Sequence, residues 1–326
     1  MTWRCLVTGA SGFIGGHLVA ALSAQGAEVH CLVRPTSRLD RLRPYSPKLI
    51  AGDLGDPTTL RSAVAGVDCI FHLAGRVKAL DPQEFHQANY RGTLHLLQAV
   101  RAAGPPYPRV VLVSSLAACG PSRPGAPRAE DDPPAPCSPY GLSKLRAELA
   151  ALAFPEIPWT VVRPPVVYGP ADTETLAFFR TVARGLLPRL SPATELSLVY
   201  VTDLVEGLLR AAQAPQAVHR HYFLADPQVY RVAEVLTAVA RVLGVRPVPV
   251  PVPYPLGWLA GLGSELWARL RRQPTAFDRA KVREMHQPAW TCRTERAAAE
   301  LDFRAQVPLV EGLRQAAEWY RAHGWL

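Results

Sequence analysis

Along its first 165 residues the chain alternates short apolar runs with longer stretches of helical periodicity. The apolar runs lie at 3–8, 28–33, 48–51, 67–73, 109–114 and 159–162, and the helical patterns at 13–25, 57–65, 83–103 and 139–152. The runs show little internal polar alternation, the mark of strands buried on both faces. Helices between such strands predict a parallel sheet covered on both sides. With right-handed crossovers this becomes a doubly wound α/β sheet. Past residue 165 the order loosens. The pattern predicts a helix over 173–185, a strand at 196–201, a helix from Asp203 to about 212 and a strand at 222–224. Further helices are predicted near 231–243, 255–271 and 308–323, while 245–256 holds five prolines and is excluded from helix. No internal repeat is visible.

Composition narrows the class. Of 326 residues 48% are apolar, enough for a substantial core. No apolar run reaches the roughly 18 residues of a membrane span, and Met1 leads straight into a strand-like run without a secretory leader. Six cysteines at 5, 31, 69, 119, 137 and 292 show no metal or redox spacing, so no metal site is expected. They read as free thiols of a cytoplasmic protein. The net charge is +9, but the basic residues are scattered and no nucleic-acid motif accompanies them. A phosphate-bearing cofactor or substrate fits that charge better than nucleic acid. Lysine occurs only at 48, 78, 144 and 281, and asparagine only at 89.

The first predicted strand runs into CLVTGASGFIGG at 5–16. Gly9 allows a tight turn, Gly12 a close backbone approach to a pyrophosphate, and Gly15 close packing of helix on strand. Ser11, Phe13 and Ile14 complete the loop, whose amides face an anion at the helix N-terminus. This is the dinucleotide loop of a Rossmann sheet. The second strand ends at Val33, and Arg34 follows with Arg38 close by. A guanidinium there suits a 2′-phosphate, which favours NADP(H) over NAD(H), although a plain surface arginine reads the same way. Asp53 and Leu54 follow the third strand, where the carboxylate either meets the adenine amino group or shapes a turn before Pro57. Leu73, Ala74 and Gly75 end the fourth strand and let a cofactor lie across it. His72, just before them, reads as a packed core histidine rather than a catalyst.

Residues 138–144 read SPYGLSK. Ser138 and Pro139 open a helix, and Tyr140 and Lys144, four apart, share one face. A free tyrosine, with a pKa near 10, is a poor base at neutral pH, and a nearby ammonium is expected to lower it. The fifth strand ends in Val113-Ser114-Ser115, at the edge where ligands bind in such sheets, so the Ser115 hydroxyl can hold a substrate oxygen.

Together these features resemble an extended short-chain dehydrogenase/reductase, the group containing the NAD-dependent epimerase/dehydratases. The marks are VTGASGFIG at 7–15, GDL at 52–54, HLAG at 72–75, NYRGT at 89–93, VSS at 113–115, YGLSK at 140–144, RPPVVYGP at 163–170 and YVTDL at 200–204. The resemblance implies that Tyr140 is the acid/base and that Lys144 binds the nicotinamide ribose and tunes the phenol. Ser115 would hold the substrate oxygen, and Asn89 would support the hydrogen-bond network. The backbone at Pro164 and Val166 would meet the nicotinamide amide. It further implies a cofactor domain of residues 1–165 plus 196–224, and a smaller, discontinuous substrate domain of 166–195 plus 225–326. A proline-rich loop, 119–138, would overhang the substrate. Relatives dimerise through helices near 83–103 and 139–152.

Departures from the family patterns bear on the reaction. Where 4,6-dehydratases carry an Asp-Glu pair after the hydroxyl residue, Leu116 and Ala117 stand here. Where nucleotide-sugar enzymes carry an asparagine, Val166 stands here, though Arg180, Arg184 and Arg189 could still grip a pyrophosphate. The segment YPLGWLAGLGSELWARL at 254–270, with Trp258 and Trp267, reads as packing, as an apolar substrate wall or as a peripheral membrane contact. The leading expectation is an oxidoreductase for a carbonyl or secondary alcohol of a fairly apolar small molecule. Hydroxysteroid dehydrogenases and dihydroflavonol reductases are the nearest analogies. A nucleotide-sugar epimerase and a non-catalytic dinucleotide sensor are the alternatives.

Overall fold

In the computed structural model, which describes residues 2–189, 194–275 and 277–326, the apolar runs of the first half become six strands. They are β1 (Arg4–Thr8), β2 (Glu28–Val33), β3 (Lys48–Ala51), β4 (Cys69–His72), β5 (Arg109–Val113) and β6 (Trp159–Val162). Eight short strands follow: β7 (Val166–Tyr168), β8 (Leu186–Arg189), β9 (Glu195–Leu196), β10 (Leu198–Tyr200), β11 (Arg220–Tyr222), β12 (Tyr230–Arg231), β13 (Val248–Pro251) and β14 (Ala289–Trp290). Seven strands form one sheet in the order β3-β2-β1-β4-β5-β6-β11, with every pair parallel. The order reverses between β1 and β4, which opens a crevice at their C-terminal ends. This is the doubly wound sheet that the sequence pattern predicts.

The helices of this part are α1 (Phe13–Ala24), α2 (Pro57–Val64), α3 (Pro82–Phe85), α4 (Gly92–Ala103), α5 (Pro139–Leu152), α6 (Leu176–Ala183) and α7 (Val201–Gln213). Strand residues alternate between two cores. Cys5, Val7, Cys31, Val33 and Phe71 meet α1 and α7, whereas Leu6, Leu32, Ile70 and Leu112 meet α2, α4 and α5. Each fully buried side chain of this size contributes about 1.5–3 kcal/mol, so the two cores hold the strand ends rigidly. The remaining helices are α8 (Val232–Leu243), α9 (Tyr254–Arg271), α10 (Arg279–Met285), α11 (Glu295–Leu301) and α12 (Leu309–Ala322). Tyr168, Tyr200, Phe179 and Tyr320 build a third core with α6, α8 and α12. Of the segment 166–195, residues 190–193 lie outside the described residues.

Several elements differ from expectation. The helix expected over 83–103 is interrupted by a π-helical turn at His86–Arg91. The strand expected at 196–201 is two strands with different partners: β9 pairs with β12 and β14, and β10 with β7. Between them the Ser197 amide turns to the Trp290 carbonyl at 2.9 Å. The strand expected at 222–224 is β11, two residues earlier. Helix α7 starts at Val201, before Asp203, whose carboxylate accepts the Val307 amide at 3.0 Å. The proline segment forms β13 beside β8, but α9 already begins at Tyr254 because Pro255 sits in its first turn, where a missing N–H costs nothing. The short elements β8, β14, α10 and α11 carry no clear periodicity and were not anticipated.

One buried ion pair ties α5 to the sheet. Glu148 accepts from Arg163 Nη2 at 2.7 Å and Nε at 3.1 Å, and from the Ser114 hydroxyl. Arg163 Nη1 also donates to the Glu130 carbonyl at 2.9 Å. Removing one partner strands a buried charge, a loss of about 3–5 kcal/mol. Glu148→Ala is therefore expected to lower the unfolding free energy by about that amount in a urea titration. A change below about 1 kcal/mol, the size of an exposed pair, would show that the clamp is not structural.

Candidate functional site

The glycine turn stands at the crevice. Gly9 takes a φ of +73°, and a Cβ there would fall 2.7 Å from the Ala74 amide nitrogen. A Cβ on Gly15 would fall 2.2 Å from the Gly9 carbonyl oxygen, so α1 can approach β1 only with glycine at this place. Gly12 is the N-cap of α1 and no side chain caps the helix. The first-turn amides after Ser11, those of Phe13, Ile14 and Gly15, are thus left for an anion. This cradle fits the pyrophosphate of a dinucleotide.

Arg34 follows β2 and is exposed, with its amide bonded to the Ser37 hydroxyl at 3.1 Å. Sequence reasoning stopped at Arg38 and missed Arg41. The Arg41 guanidinium reaches back under the loop to the carbonyls of Gly12 at 3.2 Å and Phe13 at 3.4 Å. Its spacing from Arg34 and Arg38 was the available signal. Asp53 is exposed and accepts the Gly55 amide at 2.9 Å, so it shapes the turn after β3, while Asp56 caps α2. Leu54 packs against Gly92 of α4.

At the end of β4 a buried hydrogen-bond chain sets the strand against α4. The Ala74 amide donates to Thr8 Oγ1 at 3.2 Å, and Thr8 Oγ1 lies 2.7 Å from His72 Nδ1. His72 Nε2 lies 2.9 Å from Thr93 Oγ1, which donates to the Asn89 carbonyl at 2.6 Å. Because the Thr93 proton is committed to that carbonyl, Nε2 must be the protonated nitrogen and Nδ1 must accept from Thr8. Burial, helped by the Lys144 charge, pushes His72 down to about 3. The neutral ring is therefore a structural linker, as the sequence suggests.

Asn89 sits in the π-helical turn, a distortion common at functional sites. Its amide nitrogen donates to the Arg76 carbonyl at 3.0 Å and to Ser143 Oγ at 2.8 Å, and its oxygen accepts the Arg76 amide at 2.7 Å. Ser143 Oγ in turn donates to the Tyr140 carbonyl at 2.7 Å. With both hydrogens engaged, Asn89 positions the loop after Gly75 and the start of α5. Leu73 is half-buried behind that loop.

Ser138 caps α5 through the Gly141 amide, and Tyr140, Lys144 and Glu148 follow at four-residue steps on its inner face. The Lys144 ammonium donates to the Val113 carbonyl at 2.6 Å and lies 3.9 Å from where a Cβ on Gly75 would stand. Burial lowers it to about 8, with Glu148 opposing the shift. Ser115, two residues past the end of β5, faces the Tyr140 phenol and favours its ionised form. The depression of that phenol expected from Lys144 is absent among the protein's own groups, because the ammonium is turned to Val113. Burial instead pushes Tyr140 up to about 12; the Ser115 contact opposes this, while the charges of Glu284 and Glu174 add to it. Those two acids come from α10 and from the loop before α6, where no sequence signal placed a site residue. Glu174 is paired with Lys78 at 2.5 Å.

The Pro164 carbonyl accepts the Leu116 amide at 2.9 Å, and Val166 opens β7 with its side chain exposed. Leu116 is buried, and the Ala117 amide donates to Ser115 Oγ at 3.1 Å. Of the three arginines considered for a pyrophosphate, Arg180 donates to the Trp325 carbonyl at 3.0 Å, and Arg184 and Arg189 are exposed. Among the described residues no group of three His, Cys, Asp or Glu side chains could hold a metal ion.

Residues 5–225 match the profile of the NAD dependent epimerase/dehydratase family. The chain belongs to that family. It is 33% identical to a ceramide reductase of Caulobacter vibrioides (strain NA1000 / CB15N), covering 98% of this chain and 95% of the relative. It is 30% identical to a 4-hydroxy-2-methyl-3-oxo-4-farnesyl-3,4-dihydroquinoline-1-oxide ketoreductase of Stigmatella aurantiaca, covering 95% and 94%. The crystal structure of the Thermus thermophilus UDP-glucose 4-epimerase complex with NAD superposes with a TM-score of 0.79 at 25% identity, covering 98% of this chain and 99% of that one. Family membership makes the chain a nicotinamide-dinucleotide oxidoreductase or epimerase in broad class, and the glycine cradle suits such a group.

The neutral His72 sets a pH dependence. Its pKa falls from 6.5 to about 3 on folding, so between those values the unfolded chain takes up a proton that the folded chain refuses. Stability is complete above about pH 6.5 and is lost as pH falls, by up to about 1.4 kcal/mol per pH unit. From about pH 7 to 5 the parent is expected to lose about 2 kcal/mol more than His72→Gln in denaturant titrations, and parallel losses would contradict the assignment.

Proposed function

We propose that the chain is an NADP(H)-dependent reductase of a ketone carried by a molecule with a long apolar part. The observation that carries this reading is the convergence of Ser115, Tyr140 and Lys144 at the C-terminal edge of β5, beside the glycine cradle. Bound in that cradle, the nicotinamide dinucleotide supplies the hydride that reduces the carbonyl carbon. Ser115 holds the carbonyl oxygen, and Tyr140 gives it a proton, so ketone, hydride and proton become a secondary alcohol. A phenol pushed up to about 12 keeps its proton at neutral pH until negative charge develops on the substrate oxygen, whose alkoxide is the stronger base and takes it. Lys144, held at the Val113 carbonyl with its ammonium beside Gly75, would bind the ribose. Asn89 acts through Ser143 and the Arg76 backbone as a positioning residue.

Three features support reduction over the other chemistries of the family. Leu116 and Ala117 provide no acid or base for water elimination. Val166 offers no amide to a nucleotide-sugar. The two relatives above are named for reducing molecules that carry a ceramide or farnesyl chain. Arg34, with Arg38 and Arg41 following it, supports the choice of the 2′-phosphorylated dinucleotide.

Tyr140→Phe is expected to lower turnover by roughly 10²–10⁴ while leaving NADPH affinity within about twofold. The measurement is NADPH oxidation with a panel of long-chain 3-oxo compounds, alongside UDP-sugars assayed for 4-epimers. Turnover of the sugars alone would replace this reading with an epimerase. Arg34→Ala should raise the Kd for NADPH about tenfold or more and leave NADH unchanged, as titration of nicotinamide fluorescence would show. Equal weakening of both would remove the 2′-phosphate role.

A further inference from the structure

Helix α9 is amphipathic in reverse. Its inner side is small: Gly257 packs near Val282 of α10 and His286 just after it, Gly261 lies against the backbone at Asp278 and Arg279, and Ala268 is buried. Its outward stripe is apolar. Leu256, Leu259, Leu266, Trp267 and Leu270 are each 56–77% exposed, at spacings that keep them on one face. Ala260 and Gly263 fill the gaps, and no charged residue interrupts the stripe before Arg269. Single exposed leucines need no explanation, whereas a continuous row on one helix marks a contact surface. The strand leading into α9 extends it: β13 exposes Val248 and Val250, and its partner β8 exposes Leu186.

The charges beside the stripe indicate what covers it. Residues 241–272 contain five arginines and one acid. That acid, Glu265, is held by Arg279 through contacts of 3.0 and 2.8 Å, and one acid leaves the five arginines with a net positive charge. Arg269, Arg271 and Arg272 close the helix, with the Arg271 guanidinium 4.4 Å above the Trp267 ring. A second copy would bring the same basic edge and no acidic residue on the stripe to meet it. Tryptophan and leucine on one side with arginine at the border match the boundary between phosphate and acyl chain. Among the described residues no helix is long and apolar enough to cross a membrane, so α9 would lie along the surface.

We propose that α9 docks the protein on a bilayer containing anionic phospholipid, with its leucine and tryptophan stripe among the acyl chains and Arg269, Arg271 and Arg272 on the phosphates. The inner side of α9 rests on α10, and α10 carries Glu284, one of the two acids whose charge acts on the Tyr140 phenol. The docked surface therefore adjoins the wall of the candidate site, and an apolar substrate dissolved in the bilayer has a short route to it. The docking itself does not depend on the reductase reading.

Flotation of the full chain with vesicles tests it without any substrate. Vesicles of phosphatidylcholine mixed with phosphatidylglycerol should carry the protein upward, phosphatidylcholine alone should carry much less, and salt should release it. The double variant Leu259→Glu with Leu266→Glu should lower the partition by about tenfold or more for each leucine. The triple variant Arg269→Gln, Arg271→Gln, Arg272→Gln should lower binding to the anionic vesicles by about fivefold per arginine and leave the weak neutral binding unchanged. Circular dichroism and NADPH binding report whether each variant is folded, and the arginine variant decides the matter where the glutamates disturb α9. The proposal is overturned by a parent chain that stays at the bottom with anionic vesicles, or by folded variants that float like the parent. A dimer that Leu259→Glu dissociates would put a second copy on the stripe and overturn it equally.

Discussion

The site depends on how one helix face is held against the ends of two strands. On α5, Tyr140, Lys144 and Glu148 follow one another at single-turn steps, and each turns toward the sheet. Glu148 is locked to Arg163 and Ser114, Lys144 to the carbonyl of Val113, and Tyr140 lies beside Ser115. Each contact alone tolerates some sliding. Three contacts at successive turns do not, because a shift of one residue rotates the face by about 100° and would break all of them. The ion pair has a second effect. The negative charge of Glu148 favours the ammonium of Lys144, which burial alone would depress further. A residue that touches no substrate thus keeps the lysine partly cationic where a phosphate-bearing cofactor would need it.

A second constraint fixes the opposite wall. The chain from the Ala74 amide through Thr8, His72 and Thr93 to the Asn89 carbonyl runs in one direction, since each hydroxyl both accepts and donates. It joins β1, β4 and the π-helical turn. Its cost is a histidine that stays neutral in the folded chain at neutral pH. In return, the loop that follows Gly75 is defined to within a hydrogen bond, and the side-chain amide of Asn89 can use all its hydrogens on Arg76 and Ser143. The two walls then face each other across the space between Gly75 and Lys144, the place where glycine is required because any Cβ would meet the Asn89 oxygen at 2.9 Å.

What was legible in the sequence follows the range of the interactions involved. The parallel sheet could be read because strands buried on both faces leave uninterrupted apolar runs, as at Cys69–His72 and Trp159–Val162. The glycine turn could be read because Gly9 and Gly15 are dictated by local geometry. Tyr140 and Lys144 stood out because one helical turn separates them. Arg41 was missed because it acts 28 and 29 residues back along the chain, on carbonyls that carry no sequence identity. Glu148 carries no signal in the sequence, since nothing local shows that Arg163 is its partner. The π-helical turn left no trace, because NYRGT reads equally well as plain helix. Past residue 225 the short strands pair with distant, unlike segments, as β12 and β14 do with β9, and periodicity over two residues is no signal at all.

The same division separates chemistry from specificity. Proton and hydride chemistry of the proposed kind needs groups fixed to within a fraction of an ångström, and its candidates Ser115, Tyr140 and Lys144 stand just past β5 and on α5, where two cores hold the backbone. Substrate choice needs only a shape and a polarity, and the two acids whose charge acts on the phenol, Glu174 and Glu284, come from the part of the chain whose pattern is least regular. Glu174 is already paired with Lys78. The charge of the two acids makes the phenol harder to ionise, against the opposite effect of Ser115. A substitution at either position would change that charge without touching Ser115, Tyr140 or Lys144. The outer elements thus set part of the electrostatics of a site whose groups the two cores hold in place.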